Sequence, residues 1–370
     1  MATAPAGDRR SGHRYSLYLD ADLNRVFTGS LLEVAAAELR LVSDGLGRPA
    51  VSEIERIADG RSRLLRFEAD GPAKSVATLV GQLSASAALF RHHRPPQDDP
   101  TADLLEPVAI AEPLVHGSDL ATVQRYRGKT NERLTRAMLN VALATAGIDP
   151  ARPTGTVLDP MCGRGTTLNW ALAYGLDGVG IEAERGSLEQ HAGFLQTWAK
   201  RQRLPHNAQR YKSNNAEQRA FSLEVGVDRA TLKAGRGQRV QTFCSDGADR
   251  RLPIKRGAID IVVADLPYGV QHRGSADGGK SASTASTGGA GGSGGPDTIE
   301  LLERVLPTWH HWLRTGGAIC LAWNTKRAGR RAVGRALAEA GFNPVTAAGG
   351  FSMRHVVDAT IDRDVIVARR

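Results

Sequence analysis

The stretch IDIVVADLPYG, residues 259–269, decides the fold class of this 370-residue chain. Its first part, Ile259 to Ala264, is a near-continuous run of apolar and β-branched residues, typical of a strand buried on both faces. Pro267 cannot donate a ladder hydrogen bond and Gly269 permits a sharp turn, so the strand ends there. An acid, a proline and an aromatic residue thus follow the carboxyl end of a buried strand, where open α/β sheets bind their ligands.

The loop residues suit methylation of an exocyclic amino group on a nucleobase, whose nitrogen lone pair is delocalised into the ring. The Asp265 carboxylate can accept one amino hydrogen, and the Leu266 carbonyl, restrained by Pro267, can accept the other. Tyr268 offers a flat face for the base, worth roughly 1–3 kcal/mol where stacking has been tested. The alternative is an ordinary Asp-x-Pro turn, and the loop alone does not decide between the two.

A second motif, TGTVLDPMCGRGTTLNWALAYG, occupies residues 154–175. A short apolar strand is broken by Asp159 and Pro160, and Gly163 and Gly165 then give a loop without Cβ bulk. The two threonines that follow are residues typical of a helix start. The motif therefore predicts a strand, a glycine loop and a helix, the arrangement that binds nucleotide-like ligands.

The residues around this loop indicate which ligand it binds. A second strand, Val179–Ile181, ends in Glu182, and an acid about twenty residues past the glycine loop is placed to hold ribose hydroxyls. A dinucleotide site needs a third glycine where this chain has Leu168. Asp159 would repel a phosphate but would suit an ammonium and a sulfonium. The pattern therefore predicts S-adenosylmethionine as the cofactor.

The motifs DPMCGRGT (residues 159–166) and DLPYG (residues 265–269), in this order, resemble the class I RNA methyltransferases that modify guanosine N2 in tRNA and are usually preceded by a THUMP domain. The segment YRGKTNERLTRAMLNVAL, residues 126–143, resembles the helix before their glycine loop. The resemblance covers about residues 119–370. Leu266 departs from the broader amino-methyltransferase signature, Asn/Asp-Pro-Pro-Tyr, which usually has proline there.

The resemblance implies a Rossmann-like class I methyltransferase domain, α/β, with a mostly parallel sheet and an antiparallel terminal strand pair. It also implies that Asp246 accepts from the adenine amino group of the cofactor, although a turn acid is the alternative. The expected catalytic residues are Asp265, Leu266, Pro267 and Tyr268. The expected cofactor-binding residues are Asp159, Pro160, Cys162, Gly163, Gly165, Thr166, Glu182 and Asp246.

Composition shifts predict the domain organisation. A strand, a helix, a strand and a long helix are expected before the catalytic domain, at Arg14–Leu19, Ser30–Leu41, Arg63–Glu68 and Lys74–Phe90. They predict a small α/β domain for which a ferredoxin-like arrangement is one candidate, and a role in gripping RNA follows from the resemblance only. The expected segments are a disordered N-terminus 1–12, the small domain 13–94, a proline-rich linker 95–118 with one short strand near Val108–Ile110, and the methyltransferase domain 119–370 with a flexible Gly/Ser insert 274–296. The insert is either a neutral insertion or a lid.

The charge and the cysteines restrict the class of protein. The net charge of +9 fits a polyanionic partner such as RNA. Three cysteines without Cys-x-x-Cys spacing argue for a reducing cytosol and against disulfides or structural zinc. Cys162 is interpreted as a packing residue rather than a nucleophile, and no metal is assigned because the pair His310 and His311 has no third ligand. Neither a membrane-spanning run nor a signal peptide is evident, so a cytoplasmic location is expected.

Two regions leave alternatives open. Residues 200–239 are expected to be basic and irregular, either a phosphate-contacting rim or a solvated face. Only Tyr211 and Phe221 interrupt the basic residues there, so no stacking platform for single strands is predicted. Thr130 or Asn131 either caps a helix or contacts the methionine end of the cofactor.

Together the motifs predict an S-adenosylmethionine-dependent RNA methyltransferase that acts on an exocyclic base amine, guanosine N2 in tRNA being the first choice. A DNA adenine-N6 or cytosine-N4 methyltransferase is the alternative within the same chemistry. An inactive nucleic-acid-binding module is the alternative from another class. Activity with a small activating subunit and activity without one are both compatible with the sequence.

Overall fold

A computed structural model of the protein describes residues 12–20, 25–60, 62–93, 104–126, 129–212, 219–267, 298–347, 349–358 and 360–370. The predicted N-terminal segment 1–12, except Gly12, and the Gly/Ser insert 274–296 lie outside these residues, as does Tyr268. The described residues form two sheets, each with its own helices.

The first sheet belongs to the N-terminal region and is antiparallel throughout, with strand order β2-β3-β1-β4-β5. Its elements are β1 (His13–Leu19), α1 (Arg25–Leu46), β2 (Val51–Asp59), β3 (Ser62–Ala69), α2 (Ala73–Gly81), β4 (Ser86–His93) and β5 (Leu104–Val108). The first four strands and two helices follow one another in a ferredoxin-like βαββαβ order, to which β5 adds an edge. A small α/β domain is therefore present, as predicted.

The alternation of side chains along the strands gives this sheet two different faces. Tyr15 and Leu17 of β1 are fully buried with Phe67 of β3 under the helices. Tyr18 of β1 and Phe90 of β4 lie on the opposite face, with ring centroids 5.6 Å apart in an edge-to-face contact. The helix side of the sheet thus forms a core, whereas the other face carries partly exposed aromatic rings.

Several predicted elements of this region were wrong. The helix expected at Lys74–Phe90 ends at Gly81, and its second half is strand β4, because Leu89 pairs with Leu17 of β1 and so covers an edge of the sheet. The helix expected from Ser30 begins at Arg25, so Ser30 does not cap it. Strand β2 was not predicted, since most of its side chains are polar and exposed.

The expected linker 95–118 contains a short strand, but at an earlier position than predicted. It was expected near Val108–Ile110, and strand β5 occupies Leu104–Val108. This strand pairs antiparallel with β4, with Val108 opposite Leu89. Part of the proline-rich segment thus adds to the small sheet, because the exposed edge of β4 accepts a further strand.

The second sheet has ten strands and belongs to the C-terminal region. Its helices are α3 (Asp119–Thr122), α4 (Glu132–Thr145), α5 (Thr166–Ala173), α6 (Arg185–Arg201), α7 (Arg229–Lys233), α8 (Thr298–Trp312) and α9 (Arg330–Glu339). Its strands are β6 (Thr156–Asp159), β7 (Asp177–Glu182), β8 (His206–Lys212), β9 (Arg219–Val225), β10 (Gln238–Cys244), β11 (Ile259–Asp265), β12 (Leu313–Asn324), β13 (Asn343–Val345), β14 (His355–Val356) and β15 (Asp362–Arg369).

The strand order is β13-β15-β12-β11-β6-β7-β10-β9-β8, with β14 paired to β15. The five central strands, β12 to β10 in this order, are parallel. β15 runs antiparallel to β12, and β13 antiparallel to β15, so the sheet ends in the expected antiparallel pair. This is the α/β fold of methyltransferases, as the sequence predicted. The carboxyl ends of β6, β7, β10 and β11 lie on one edge.

The basic region 200–239 was expected to be irregular, but it contains the hairpin β8–β9 and helix α7. The hairpin pairs antiparallel with β10 and extends the sheet past its parallel part. Inward-facing Phe221, Leu223 and Val225 alternate along β9 and are buried. The hairpin was not predicted because polar and charged residues outnumber the apolar ones in β8 and interrupt the apolar ones in β9.

A buried polar cluster joins the two domains where α1 packs against α4. The Glu38 carboxylate is fully buried and accepts hydrogen bonds from the Ser84 amide (3.0 Å), the Ser84 hydroxyl (2.6 Å) and the Asn140 side-chain amide (2.7 Å). The helices approach closely, since a Cβ on Gly45 would lie 2.7 Å from the Ala144 carbonyl. Burial raises the pKa of Glu38, and its donors from both domains oppose this rise. The cluster therefore links the domains directly.

Among the helices that the structure describes, none combines the length and the apolar character required to cross a membrane.

Candidate active site

Three carboxylates meet where adjacent parallel strands end. Asp159 ends β6, Glu182 ends β7 and Asp265 ends β11, and β6 lies between the other two strands. Their proximity is electrostatically evident, because Glu182 and Asp265 both raise the pKa of Asp159. The two sequence motifs, about a hundred residues apart, are thus brought to one edge of the sheet.

Asp265 is held by residues from two distant parts of the chain. The Thr130 hydroxyl donates a hydrogen bond to its Oδ2 atom, and the Arg363 guanidinium lies 3.5 Å from the same atom. Asn131, not Thr130, caps α4, since its side-chain oxygen accepts from the amides of Arg133 and Leu134. Thr130 therefore positions the Asp265 carboxylate and does not cap the helix. The side chain of Asp265 remains 22% exposed, so a ligand can reach it.

Leu266 is fixed although it lacks the ring of the proline that is usual in this signature. Its amide donates a 2.8 Å hydrogen bond to the Ala322 carbonyl of β12, and its side chain is buried in the core. The rigidity that proline would give is thus supplied by strand pairing and burial. Pro267 follows in an exposed position.

The glycine loop is fastened to the end of β7. The Cys162 amide donates to the Ile181 carbonyl (3.0 Å), and the Gly163 amide donates to Oε2 of Glu182 (2.8 Å). The other oxygen of Glu182 accepts from the Glu184 amide at 2.8 Å. Glu182 is therefore oriented by the loop on one side and by its own chain on the other, as a residue that holds ribose hydroxyls would need to be.

Gly165 occupies the start of α5 for two physical reasons. Its φ is +78°, a left-handed conformation that favours glycine. A Cβ there would lie 2.2 Å from the ring of His191, which is fully buried on α6. Burial lowers the pKa of His191 to about 4, so the ring is neutral, and it forms a 3.0 Å hydrogen bond with the Asn169 side-chain oxygen. His191 therefore packs against Gly165 and supports the glycine loop, a role that was not predicted from the sequence.

Asp159 is the most strongly perturbed acid of the site. Burial raises its pKa from 3.8 to about 7, and the nearby carboxylates act in the same direction. The Thr167 hydroxyl and the Met161 amide oppose this rise by hydrogen bonding to the charged form. A buried carboxyl group next to two other acids is suited to a cationic ligand. Pro160, the next residue, is buried and breaks the strand.

Thr166 lies at the first position of α5 and contacts the segment before α4. Its hydroxyl is 3.0 Å from the Tyr126 hydroxyl. The Arg164 guanidinium lies over the Tyr126 ring, 4.7 Å from its centroid. Tyr126 thus covers the glycine loop. No residue-level role for it was predicted, because its contacts connect segments far apart in the chain.

Asp246 lies after β10, on the same edge but in a more exposed position. Its Oδ1 atom accepts from the Ala248 amide (2.8 Å) and from the Arg304 guanidinium of α8 (2.7 Å). The Ser245 amide donates to the Glu182 carbonyl at 3.1 Å, which joins this loop to the end of β7. Asp246 is thus near the expected adenosine end but has a protein partner.

Cys162 is buried, and a Cβ on Gly180 would lie 2.8 Å from its sulfur. Burial raises the pKa of its thiol well above the usual range, and the neighbouring acids act in the same direction. A protonated, tightly packed thiol is a packing residue rather than a nucleophile. Within the described residues no group of three metal-ligating side chains is found.

The chain is similar to known methyltransferases in part of its sequence and in its fold. The UPF0020 family model, an RMKL-like methyltransferase domain, matches residues 121–277. TrmN from Thermus thermophilus is 13% identical, with 97% of this chain and 100% of that chain covered and a TM-score of 0.44. Geranyl diphosphate C-methyltransferase from Streptomyces coelicolor A3(2) is 12% identical, with 66% and 85% covered and a TM-score of 0.33. No curated protein matches the chain. In sequence, the chain is similar to the RMKL-like methyltransferase domain across the glycine loop and the Asp-Leu-Pro-Tyr motif.

Proposed function

We propose that this protein is an S-adenosylmethionine-dependent RNA methyltransferase that modifies an exocyclic amino group of a base, guanosine N2 in cytoplasmic tRNA. The observation that carries the proposal is the position of Asp265. It ends a central strand beside Asp159 and Glu182, and it is held by Thr130. The sequence match to a methyltransferase domain supports methyl transfer.

The residues at the sheet edge fit the proposed cofactor. Asp159 is buried among acids and would hold a cationic group, while Glu182 is oriented toward the loop and would hold ribose hydroxyls. Gly163 has open space where a Cβ would lie, so a ligand can approach its backbone. When bound, S-adenosylmethionine supplies a methyl group on a positively charged sulfur. Cys162, Pro160 and Thr166 would shape this loop rather than react.

The chain's own residues would act on the amine. The Asp265 carboxylate would accept one amino hydrogen, and the Leu266 carbonyl would accept the other, which orients the nitrogen lone pair. Thr130 and Arg363 would keep the carboxylate in place, and the hydrogen bond from the Leu266 amide to β12 would keep the peptide in place. Pro267 and Tyr268 would complete the base pocket, the latter by stacking on a base turned out of its helix.

The open face of the small sheet supports RNA as the partner. Tyr18 and Phe90 lie there beside Arg66, since Ser16 pairs with both Phe90 and Arg66 in register. Aromatic rings beside a guanidinium suit unpaired bases and phosphates. The net charge of +9 also favours binding of a polyanion such as RNA. The region 13–94 is thus proposed as an RNA-binding accessory domain.

The test is incubation of the protein with labelled cofactor and with either unfractionated tRNA or duplex DNA, followed by mass spectrometry of the nucleosides. N2-methylguanosine in the tRNA is the expected product. N6-methyladenine or N4-methylcytosine in the DNA would instead support the alternative substrate. No label in either polymer, together with no calorimetric uptake of the cofactor, would indicate an inactive binding module.

A further inference from the structure

A cavity of about 280 Å³ lies between α6 and the hairpin β8–β9. One wall is a cross-strand row, in which Arg210 pairs with Phe221 and Phe221 pairs with Thr242. Residues in register on adjacent strands point to the same face of a sheet, so these three side chains line one side of the cavity. Leu188 and Ala192, one turn apart on α6, form the opposite apolar wall.

The cavity carries an excess of positive charge. Among the described residues, its lining includes the guanidinium groups of Arg185, Arg210 and Arg219 but only one carboxylate, that of Glu189. Glu189 is shared, since its oxygens lie 3.7 Å from Arg185 and 3.5 Å from Arg210. The charge that remains is complementary to an anion such as a phosphate.

The wall of the cavity also contains an aromatic ring covered by a guanidinium. The Phe221 ring is buried in its wall, and the Arg210 guanidinium lies 5.7 Å from the ring centroid. Tyr211 lines the cavity too, but it pairs with Ala220, so its ring lies on the other face of the hairpin. No ring was predicted to face a cavity in this region, because the hairpin that brings Phe221 to α6 was not predicted.

The position of the cavity connects it to the candidate active site. Cys244 lines the cavity and pairs in register with Glu182, the acid at the end of β7. Arg185, at its mouth, begins the helix that follows Glu182. The cavity thus lies beside the proposed cofactor site, and its β9 wall is four strands from Asp265, roughly 19 Å at about 4.8 Å per strand.

We propose that this cavity binds an unpaired nucleotide of the RNA substrate that is neither the methylated nucleotide nor its direct neighbour. The base lies between the apolar walls beside the Phe221 ring, whose face the Arg210 guanidinium covers, and its phosphates contact Arg210 and Arg219. The volume is close to the lower end for small-molecule sites, about 300 Å³, and suits one nucleoside. The inference rests on the proposed function, because it assigns a second contact to the same RNA.

The test compares two double charge reversals in the full-length protein. Arg210→Glu with Arg219→Glu changes the cavity, whereas Arg229→Glu with Arg236→Glu makes the same change at exposed positions around α7. Binding of fluorescent unfractionated tRNA is measured at several salt concentrations, and cofactor binding is measured by calorimetry. The cavity variant should bind tRNA at least about tenfold more weakly than the control, and its salt slope should fall by about 0.7 for each phosphate that it no longer neutralises. Cofactor affinity should stay unchanged in both.

A third variant, Phe221→Leu, keeps the apolar filling and removes the flat ring. It should weaken tRNA binding about tenfold, in the range that loss of one base stack gives, with little change in salt slope. Thermal melting of all variants identifies any that do not fold, and for those Arg210→Gln and Arg219→Gln replace the charge reversals.

The outcomes separate this inference from the proposed function. Equal loss of tRNA affinity in the two double variants, while the wild type methylates tRNA, overturns the cavity assignment alone. A loss of cofactor affinity in the cavity variant also overturns it, because the cavity then belongs to the cofactor site. If the wild type neither binds nor methylates tRNA, both proposals fail.

Discussion

Glu38 and Asp159 are both buried carboxyl groups with a raised pKa, but their surroundings differ. Glu38 lies at the domain interface, where donors on Ser84 and Asn140 bind it and Arg136 stabilises its charge. Asp159 lies at the sheet edge, where the charges that act on its pKa are those of Glu182 and Asp265, which have the same sign and raise it. Burial alone does not mark a functional acid; the sign of its neighbours does. An acid that the fold leaves among other acids indicates a cationic ligand.

The largest effect is expected for the edge acid that would contact the substrate. Asp265→Ala should lower turnover by about 10³-fold, equal to about 4 kcal/mol, because the amine loses one of its two acceptors. Affinity for tRNA should change little, since the phosphate contacts lie elsewhere. The measurement is single-turnover methyl transfer beside a tRNA-binding assay, with the exposed Glu300→Ala as control. Retention of full turnover would remove Asp265 from the mechanism.

The second prediction concerns Asp159 and the pH. Its folded pKa of about 7 lies above the ordinary 3.8, so the folded state binds more protons than the unfolded state between these values. The contribution of Asp159 to stability should therefore fall as the pH rises from about 4 to 7 and then level off. His191, with a folded pKa of about 4, contributes an opposite rise over this range, so the Asp159 part is read from the difference between the wild type and a variant at this position. Asp159→Asn cannot ionise, and above pH 7 it should be more stable than the ligand-free wild type by at most about 4 kcal/mol.

The same substitution should weaken cofactor binding. A cationic ligand favours the charged form of Asp159, so wild-type affinity should rise with pH up to about 7 and then become constant. Denaturant unfolding and calorimetry from pH 4 to 8 measure the two effects together. An Asp159→Asn variant whose stability follows the wild type at every pH would show that this acid does not carry the raised pKa.

Substitution of Glu38 should lower stability, whereas Asp159→Asn should raise it. Glu38→Ala leaves the buried donors of Ser84 and Asn140 without their acceptor, which should cost about 2–3 kcal/mol of stability. Turnover per folded molecule should stay within about twofold, because Glu38 lies in the interface and not at the sheet edge. Chemical denaturation and activity below the melting temperature measure both quantities. Glu38→Gln keeps one acceptor and should lose less stability.

If Glu38→Ala lost more activity than its unfolded fraction explains, the result would contradict the separation between the domain interface and the sheet edge. It would show that the interface between α1 and α4 positions the catalytic edge. Asn140→Ala is the matched variant from the other side of the interface, and it should show the same pattern with a smaller loss of stability.

The sequence predicted the central part of the site because its signals are local. Strands that are buried on both faces give apolar runs, and Pro160, Gly163 and Pro267 follow them at the proposed ligand site. The carboxyl ends of parallel strands share one edge, so the convergence of Asp159 and Asp265 follows from the fold class alone.

The parts that were missed depend on contacts between distant segments. Thr130 and Asp265 are 135 residues apart, and no local pattern connects them. The hairpin β8–β9 was missed because an edge hairpin keeps polar side chains on both strands. Strand β4 was predicted as a helix, because the Ala-rich segment has weak periodicity and only its pairing with β1 decides its state.

Asp246 combines features of both regions. It lies at the sheet edge, as Asp159 does, but it has a stabilising partner within the protein, as Glu38 does, so the smallest effects are expected here. Its ion pair with Arg304 joins two side chains that are both more than half exposed, and such pairs contribute at most about 1 kcal/mol. If Asp246 accepts from the adenine amino group, Arg304 competes for the same oxygen. Arg304→Ala should then raise cofactor affinity by up to about threefold, with no measurable change in melting temperature, whereas Asp246→Asn should lower affinity. Calorimetry at low and high salt distinguishes the two effects on affinity. The gain from Arg304→Ala should vanish at high salt because salt screens the ion pair, whereas the loss from Asp246→Asn should remain. A decrease in affinity for Arg304→Ala would mean that the ion pair positions Asp246 and does not compete with the ligand.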